Sequence, residues 1–385
     1  MNSYAADFAD FAPTVYLDCA YQGPFPNVTA TRIHDAIELK RYPVRLTEPD
    51  YFDGPERVRT RLSRLTGADP EEIAITASAT QGIGIVAGGL EWRDGDEVII
   101  ASTNFPSNLF TWLHLRRRDV RVTVIEPSGG RVRPEDVAAS LTSRTRLVAL
   151  DWVSYSTGAR IDLATMGELA HRQGALFVVD GTQGVGAIEL DLHALPVDAM
   201  AVAAYKWLLG PYGTGFAYLQ RDLLDRLDLA VVNWSAVEGS DQFDSLPVDR
   251  FTLPNAARVF DSGETASFIN LRGLESSLEY VEAVGVRTVN QHCRRLLQRL
   301  ADGLRAADSS YYTLSAAAEA ECNSTILGFQ APSIEATTEL HATLRAAEFA
   351  VSLRHGMIRV SPYLYNDEDD IDELLAAIAA VDGRR

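Results

Sequence analysis

Between residues 71 and 220 the chain repeats one rhythm: a short apolar, β-branched run, a break, a helical stretch, and another run. The runs fall at 71–76, 96–102, 120–126, 146–153, 175–180, 199–203 and 215–219. Most are apolar along their whole length, as strands buried on both faces are, and parallel sheets are the usual home of such strands. The stretches 80–90, 108–117, 134–140 and 161–172 then read as crossover helices lying on both faces. The predicted fold class is α/β, a large three-layer α/β/α domain with a mostly parallel sheet.

After residue 222 the rhythm stops. A polar, proline-containing stretch runs to Pro254, followed by a long helical segment over about 267–305. Strand-like 325–330, helix-like 334–348, strand-like 357–360 and helix-like 368–381 follow, the order of a small α+β domain. The expected division is an N-terminal segment 1–25, a large domain 26–260 and a small C-terminal domain 261–385 that opens with the linking helix. A chain of 385 residues exceeds one typical core, in keeping with two domains.

Charge narrows the partners. The 35 basic and 53 acidic side chains leave a net charge of −18, and the basic ones are scattered. Nucleic acid and anionic membranes are poor partners for such a surface, so a small-molecule substrate is expected. No apolar run approaches a membrane span, and the first residues, with Asp7 and Asp10, lack a signal-peptide pattern. Cys19, Cys293 and Cys322 are far apart and the histidines are dispersed, so neither a disulfide framework nor a metal site is expected. A reducing, cytoplasmic setting is the expectation.

Two segments carry chemistry. In Val178-Val179-Asp180-Gly181-Thr182-Gln183 an apolar strand ends in a carboxylate, at the edge where open α/β sheets bind ligands. In Ala204-Tyr205-Lys206-Trp207 a lysine follows another apolar strand and precedes Gly210, Gly213 and Gly215. Burial lowers the pKa of such an amine toward what a Schiff-base nucleophile needs. Each has an ordinary alternative, Asp180 as a turn cap and Lys206 as a snorkelling surface charge. Together they point to pyridoxal 5'-phosphate, which asks for a lysine and for an acidic partner to its pyridinium nitrogen. The glycines of Gly82-x-Gly84-x-x-x-Gly88 lie inside a predicted helix, so they read as helix-packing positions and not as a dinucleotide loop.

With Asp180-x-x-Gln183, Tyr205-Lys206 and Arg359-Val360-Ser361-x-x-x-Tyr365-Asn366, the chain resembles the class V aminotransferases among fold-type I pyridoxal-phosphate enzymes. That family includes cysteine desulfurases, selenocysteine lyases, kynureninases and isopenicillin N epimerase-like proteins. The resemblance implies Lys206 as the aldimine lysine, Asp180 as the pyridinium partner and Gln183 as a donor near the phenolic oxygen. It assigns Ala79 and Thr80 to the phosphate, where helix-start N–H groups suit a dianion, and Phe105 to stacking on the ring. Tyr205 stands where the family often has His, and Ser154 is expected to face the cofactor or substrate. Thr265, in Gly263-Glu264-Thr265, resembles the segment that reaches the phosphate from a partner subunit, which implies a homodimer with shared sites.

On the substrate side the resemblance implies Arg359 as the α-carboxylate clamp, with Arg354, Tyr21 and Asn108 as further contacts; Asp18 and Gln22 lie in the same N-terminal segment as Tyr21. The family's desulfurases carry a nucleophilic cysteine on a loop just before the arginine. None of the three cysteines falls there. The expected activity is therefore a Cα reaction of an amino acid through the Lys206 aldimine and a quinonoid intermediate. A lyase of β-elimination or C–S lyase type in specialised metabolism is expected, not a persulfide-forming desulfurase. Transamination and epimerisation are the alternatives within the family, and a non-catalytic binding module is the alternative outside it.

Overall fold

A computed structural model describes residues 4–242, 250–308 and 311–382. The first strand, β1 (Val15–Tyr16), stands apart from the main sheet. Strands β2 (Ile73–Thr76), β3 (Glu97–Ala101), β4 (Arg121–Ile125), β5 (Thr145–Asp151), β6 (Leu176–Asp180), β7 (Ala199–Ala203) and β8 (Gly215–Leu219) build a seven-stranded sheet in the order β2-β8-β7-β6-β5-β3-β4. All seven lie where the sequence predicts them, to within a few residues at the ends. Only β8 runs against its neighbours.

Successive residues along these strands feed opposite layers, because side chains alternate across a sheet. Ile99 and Ala101 enter one apolar layer, while Val98 and Ile100 enter the other. The second layer lies under helices α3 (Ala79–Gly89) and α4 (Ser107–Leu113), through Ile83, Val86 and Trp112. The first is covered by α2 (Glu48–Thr66), α6 (Leu163–Arg172) and α8 (Phe268–Val284), through Leu62, Met166 and Leu274. Fold class and layering are those read from the sequence.

Three details differ. The helix expected over 108–117 is α4 followed by a 3-10 turn, His114–Arg118, ended by Asp119 at φ 58°. The single helix expected over 267–305 is two helices, α8 and α9 (Val286–Asp308), parted by Gly285 at φ 84°, a left-handed value that costs glycine little. Among the helix glycines, an added Cβ on Gly82 would stand 2.8 Å from the Cβ of Ala201, so that residue does seat α3 on the sheet. Gly84 and Gly88 have nothing within 4 Å and line an open groove instead.

The C-terminal sheet comprises β9 (Thr313–Leu314), β10 (Leu327–Gln330), β12 (Ser352–Arg354) and β13 (Met357–Val360) in the order β12-β13-β10-β9. It packs with α9, α10 (Ile334–Ala346) and α11 (Glu368–Asp382) around Leu296, Leu300, Phe329 and Ile358. The short β11 (Phe349–Ala350) pairs in parallel with β1, stitching the N-terminal segment to this unit. Among the described residues no helix is long and apolar enough to cross a membrane.

Candidate active site

Along the chain, β3 leads outward to β4, whereas β5 to β8 build away on the other side of β3. That reversal opens a crevice beyond the strand ends, between the loops that follow β3 and β5. A cavity of about 160 Å³ lies there, lined by residues 77–80 before and in α3, Phe105 and Ser107, Asp151 and Tyr155, Asp180 and Gln183, and Tyr205, Lys206 and Tyr212.

Lys206 sits on the turn after β7, where Leu209 N–H closes onto the Lys206 carbonyl and Gly210 N–H onto that of Ala204. Its amine is 5.1 Å from the centre of the Phe105 ring and 5.6 Å from that of Tyr205. The side chain is almost fully enclosed, and burial brings its pKa down to about 8 even though Asp180 pulls the other way. No hydrogen-bond partner of Nζ is found among the described residues. This is the buried, deprotonatable amine that the sequence suggested.

Asp180 and Asp151 end adjacent strands in the same register and reach one cavity. Two carboxylates on one cavity disfavour joint ionisation, and both are held above the ordinary carboxylate range, Asp151 through desolvation and the neighbouring Asp180, Asp180 through desolvation. Thr182 N–H donates to Asp180 Oδ1 at 2.9 Å. Asp151 accepts from Phe105 N–H at 2.7 Å and from Asn108 Nδ2 at 3.0 Å, so it pins the loop that carries the Phe105 ring. Neither carboxylate has a salt-bridge partner within 4 Å among the described residues.

At the start of α3 the Ser78 hydroxyl caps the helix by accepting from Gln81 N–H. The N–H groups of Ala79 and Thr80 have no acceptor among the described residues, as first-turn groups do not. The Thr80 hydroxyl meets Ser107 Oγ at 2.8 Å across the cavity mouth.

Of the residues singled out from sequence, Lys206, Asp180, Gln183, Phe105, Ala79, Thr80 and Tyr205 converge on the cavity. Gln183 is tied at both ends, donating to the Ala20 carbonyl and accepting from Trp207 Nε1. Asn108 stands behind the wall, between Asp151 and Trp112. Ser154 is turned away, its hydroxyl beside Ser156 Oγ and Thr157 N–H. Thr265 is buried with its hydroxyl on the Ser262 carbonyl and Asn233, outside the cavity lining. Tyr21 is 59% exposed, with the Arg354 guanidinium 5.8 Å from its ring centre.

Arg359 is buried, donating to the Tyr155 carbonyl at 2.7 Å and to Asp18 Oδ1 at 2.8 Å, while its Nε has no partner. Arg359 is not among the residues that line the cavity, and both of its terminal nitrogens are engaged within the chain. Sequence reading gave no role to Asp151, Tyr155 and Ser107. Asp151 had a signal, since it lies at a strand end aligned with Asp180.

A lysine and a carboxylate at the open edge of such a sheet, beside a helix N-terminus, define a fold-type I pyridoxal-phosphate enzyme. A model of the aminotransferase class-V family matches residues 50–374. The chain belongs to that family, and its cofactor is pyridoxal 5'-phosphate.

A probable cysteine desulfurase of Methanothermobacter thermautotrophicus is 31% identical over 64% of this chain and 60% of its own length, so the match spans about three-fifths of that relative. The isopenicillin N epimerase of Streptomyces clavuligerus is 26% identical over 96% of each chain. Among solved structures, the cystine C–S lyase C-DES in complex with cysteine persulfide superposes with a TM-score of 0.85, covering 96% of this chain and 98% of that one at 22% identity. That last likeness bears on the fold alone.

The donor set fits the cofactor. Among the described residues Asp180 has no ion pair within 4 Å, the Ala79 and Thr80 N–H groups have no acceptor and Lys206 Nζ has no hydrogen-bond partner, and all of them line the same cavity.

Proposed function

We propose that this enzyme is a lyase that acts at the α-carbon of an amino acid and expels a β-substituent without a cysteine nucleophile. The observation that carries this reading is a buried amine facing a carboxylate-lined cavity in a chain whose three thiols are all enclosed. Burial raises the pKa of Cys19, Cys293 and Cys322 alike, so none is a ready thiolate. Before Arg359 the chain makes the two-residue turn His355-Gly356, both at positive φ, joining β12 to β13. That tight hairpin has no loop on which a thiol could approach the cavity.

Asp180 would hold the ring nitrogen, Phe105 the ring face, and the Ala79 and Thr80 N–H groups, the Thr80 hydroxyl and Ser107 the phosphate. Tyr205 and Gln183 complete the walls. When bound, the cofactor supplies an electron sink for the pair left at Cα. Lys206, with its proton leaving near pH 8, takes the α-proton as general base. Arg359 would hold the substrate carboxylate, with Asp18 fixing its guanidinium and Arg354 beside the Tyr21 ring as a further contact. Fixing the carboxylate fixes which Cα bond breaks.

Epimerisation is the second reading, supported by the relative aligned over 96% of both chains. A homodimer is supported by the open groove along Gly84 and Gly88, flanked by exposed Val231 and Trp234. Three free cysteines suit a reducing, cytoplasmic setting.

The test incubates the loaded protein with a panel of amino acids and scores pyruvate, ammonia, keto acid and inverted isomer. Pyruvate with ammonia is the expected result, whereas keto acid alone or inversion alone overturns the lyase reading. Lys206→Ala is expected to lose turnover together with the borohydride-sensitive visible absorbance.

A further inference from the structure

A second proton-bearing group stands at the cavity. Tyr155 lines it, and its hydroxyl meets His355 Nε2 at 2.5 Å. The Tyr155 ring packs edge-on against Phe105 at 5.1 Å, and Phe105 in turn lies 5.1 Å from the Lys206 amine. His355 occupies the hairpin turn between β12 and β13 and is exposed to solvent. A cavity-lining phenol is thus hydrogen-bonded to an imidazole that reaches bulk water. Asp18 and Arg359 engage each other, and Asp151 holds the Phe105 loop; neither Asp18 nor Asp151 bonds the phenol.

We propose that Tyr155 and His355 are a proton relay that protonates the departing β-group. This rests on the lyase reading. The Cα–H bond breaks and its proton goes to Lys206, and the electron pair forms the Cα–Cβ double bond as the Cβ–X bond breaks. X leaves with the bonding pair and takes the Tyr155 proton, Tyr155 takes one from His355 Nε2–H, and His355 is reprotonated from water. Nothing is oxidised or reduced. Burial and the nearby Asp151 raise the Tyr155 pKa, so the phenol keeps its proton until the leaving group claims it. Tyr155 is the donor and His355 a positioning and recharging residue.

The relay predicts an effect that depends on the leaving group. Chloride needs no proton, whereas an alkyl thiolate does. In the loaded enzyme, Tyr155→Phe should cut pyruvate release from S-methylcysteine by about 100-fold while β-chloroalanine stays within about threefold, since a positioned acid contributes at least about that much. His355→Asn, a residue that tolerates the left-handed turn, should lower S-methylcysteine release by about tenfold and β-chloroalanine far less. In the ¹⁵N spectrum of the same protein, the His355 Nε2 signal should move on Tyr155→Phe. Equal losses on both substrates, no loss on either, or an unmoved His355 signal overturns the relay. A wild-type enzyme that releases pyruvate from neither substrate overturns the lyase reading itself.

Discussion

Replacing Lys206 by Met should stabilise the cofactor-free protein, by an amount that disappears as pH rises. An amine that loses its proton near pH 8 instead of 10.5 is, at neutral pH, a cation buried at a cost. At about 1.4 kcal/mol per pH unit, that cost is about 3 kcal/mol. Below pH 8 both folded and unfolded chains hold the proton and the full cost applies. Between pH 8 and 10.5 the unfolded chain holds it and the folded chain does not, so stability of the lysine protein rises with pH. Above 10.5 both forms are neutral and the cost is gone. Met removes it at every pH, and it also removes the cation that faces Asp180, which offsets part of the gain. Any benefit from Met packing is independent of pH, so the slope is the diagnostic quantity. Urea unfolding of both proteins at pH 7, 8.5 and 10 should show the gap narrowing by about 2–3 kcal/mol. A gap that stays constant across this range would refute the claim that Lys206 is a desolvated amine.

Asp261→Ala should destabilise the fold by about 1–3 kcal/mol in the same assay, because it removes the carboxylate that bonds the buried Arg59 guanidinium at 2.8 Å and leaves Glu56 and the Ile73 carbonyl as its partners. Gly23→Ala would place a Cβ 2.0 Å from the Lys206 carbonyl oxygen, so it should weaken cofactor binding by at least about tenfold, read by titrating the visible absorbance; unchanged affinity would show that the contact relaxes freely. In native protein at pH 8, a colourimetric thiol reagent should titrate none of the three cysteines, and all three after unfolding. One fast-reacting thiol in the native protein would reopen the persulfide route.

Much of this site was legible because strand ends mark ligand positions in α/β sheets. Asp180 ends one apolar run that reads as an inner strand, Lys206 soon follows a second, and Thr80 lies at the start of the helix after a third. The reversal of β8 was readable in principle, since residues 204–214 are too few and too glycine-rich for a helical crossover. Other contacts had no local signal. Tyr155 and His355 are 200 positions apart, and Asp18 and Arg359 are 341 apart. Tertiary folding alone joins them. The break at Gly285 was hidden because apolar residues keep helical spacing on both sides of it.

The N-terminal segment makes two attachments of opposite kind within ten residues. Val15 and Tyr16 pair with Phe349 and Ala350, and Asp18 bridges to Ser361, in the C-terminal unit. Gly23 then lies flush against the Lys206 turn, its N–H on the Tyr205 carbonyl. The segment thus works as a tie-rod: a shift of the C-terminal unit must either unzip the β1–β11 pairing or pull on the backbone that aims the reactive amine. Strain applied at one end of the molecule is delivered to the other along fewer than ten peptide bonds.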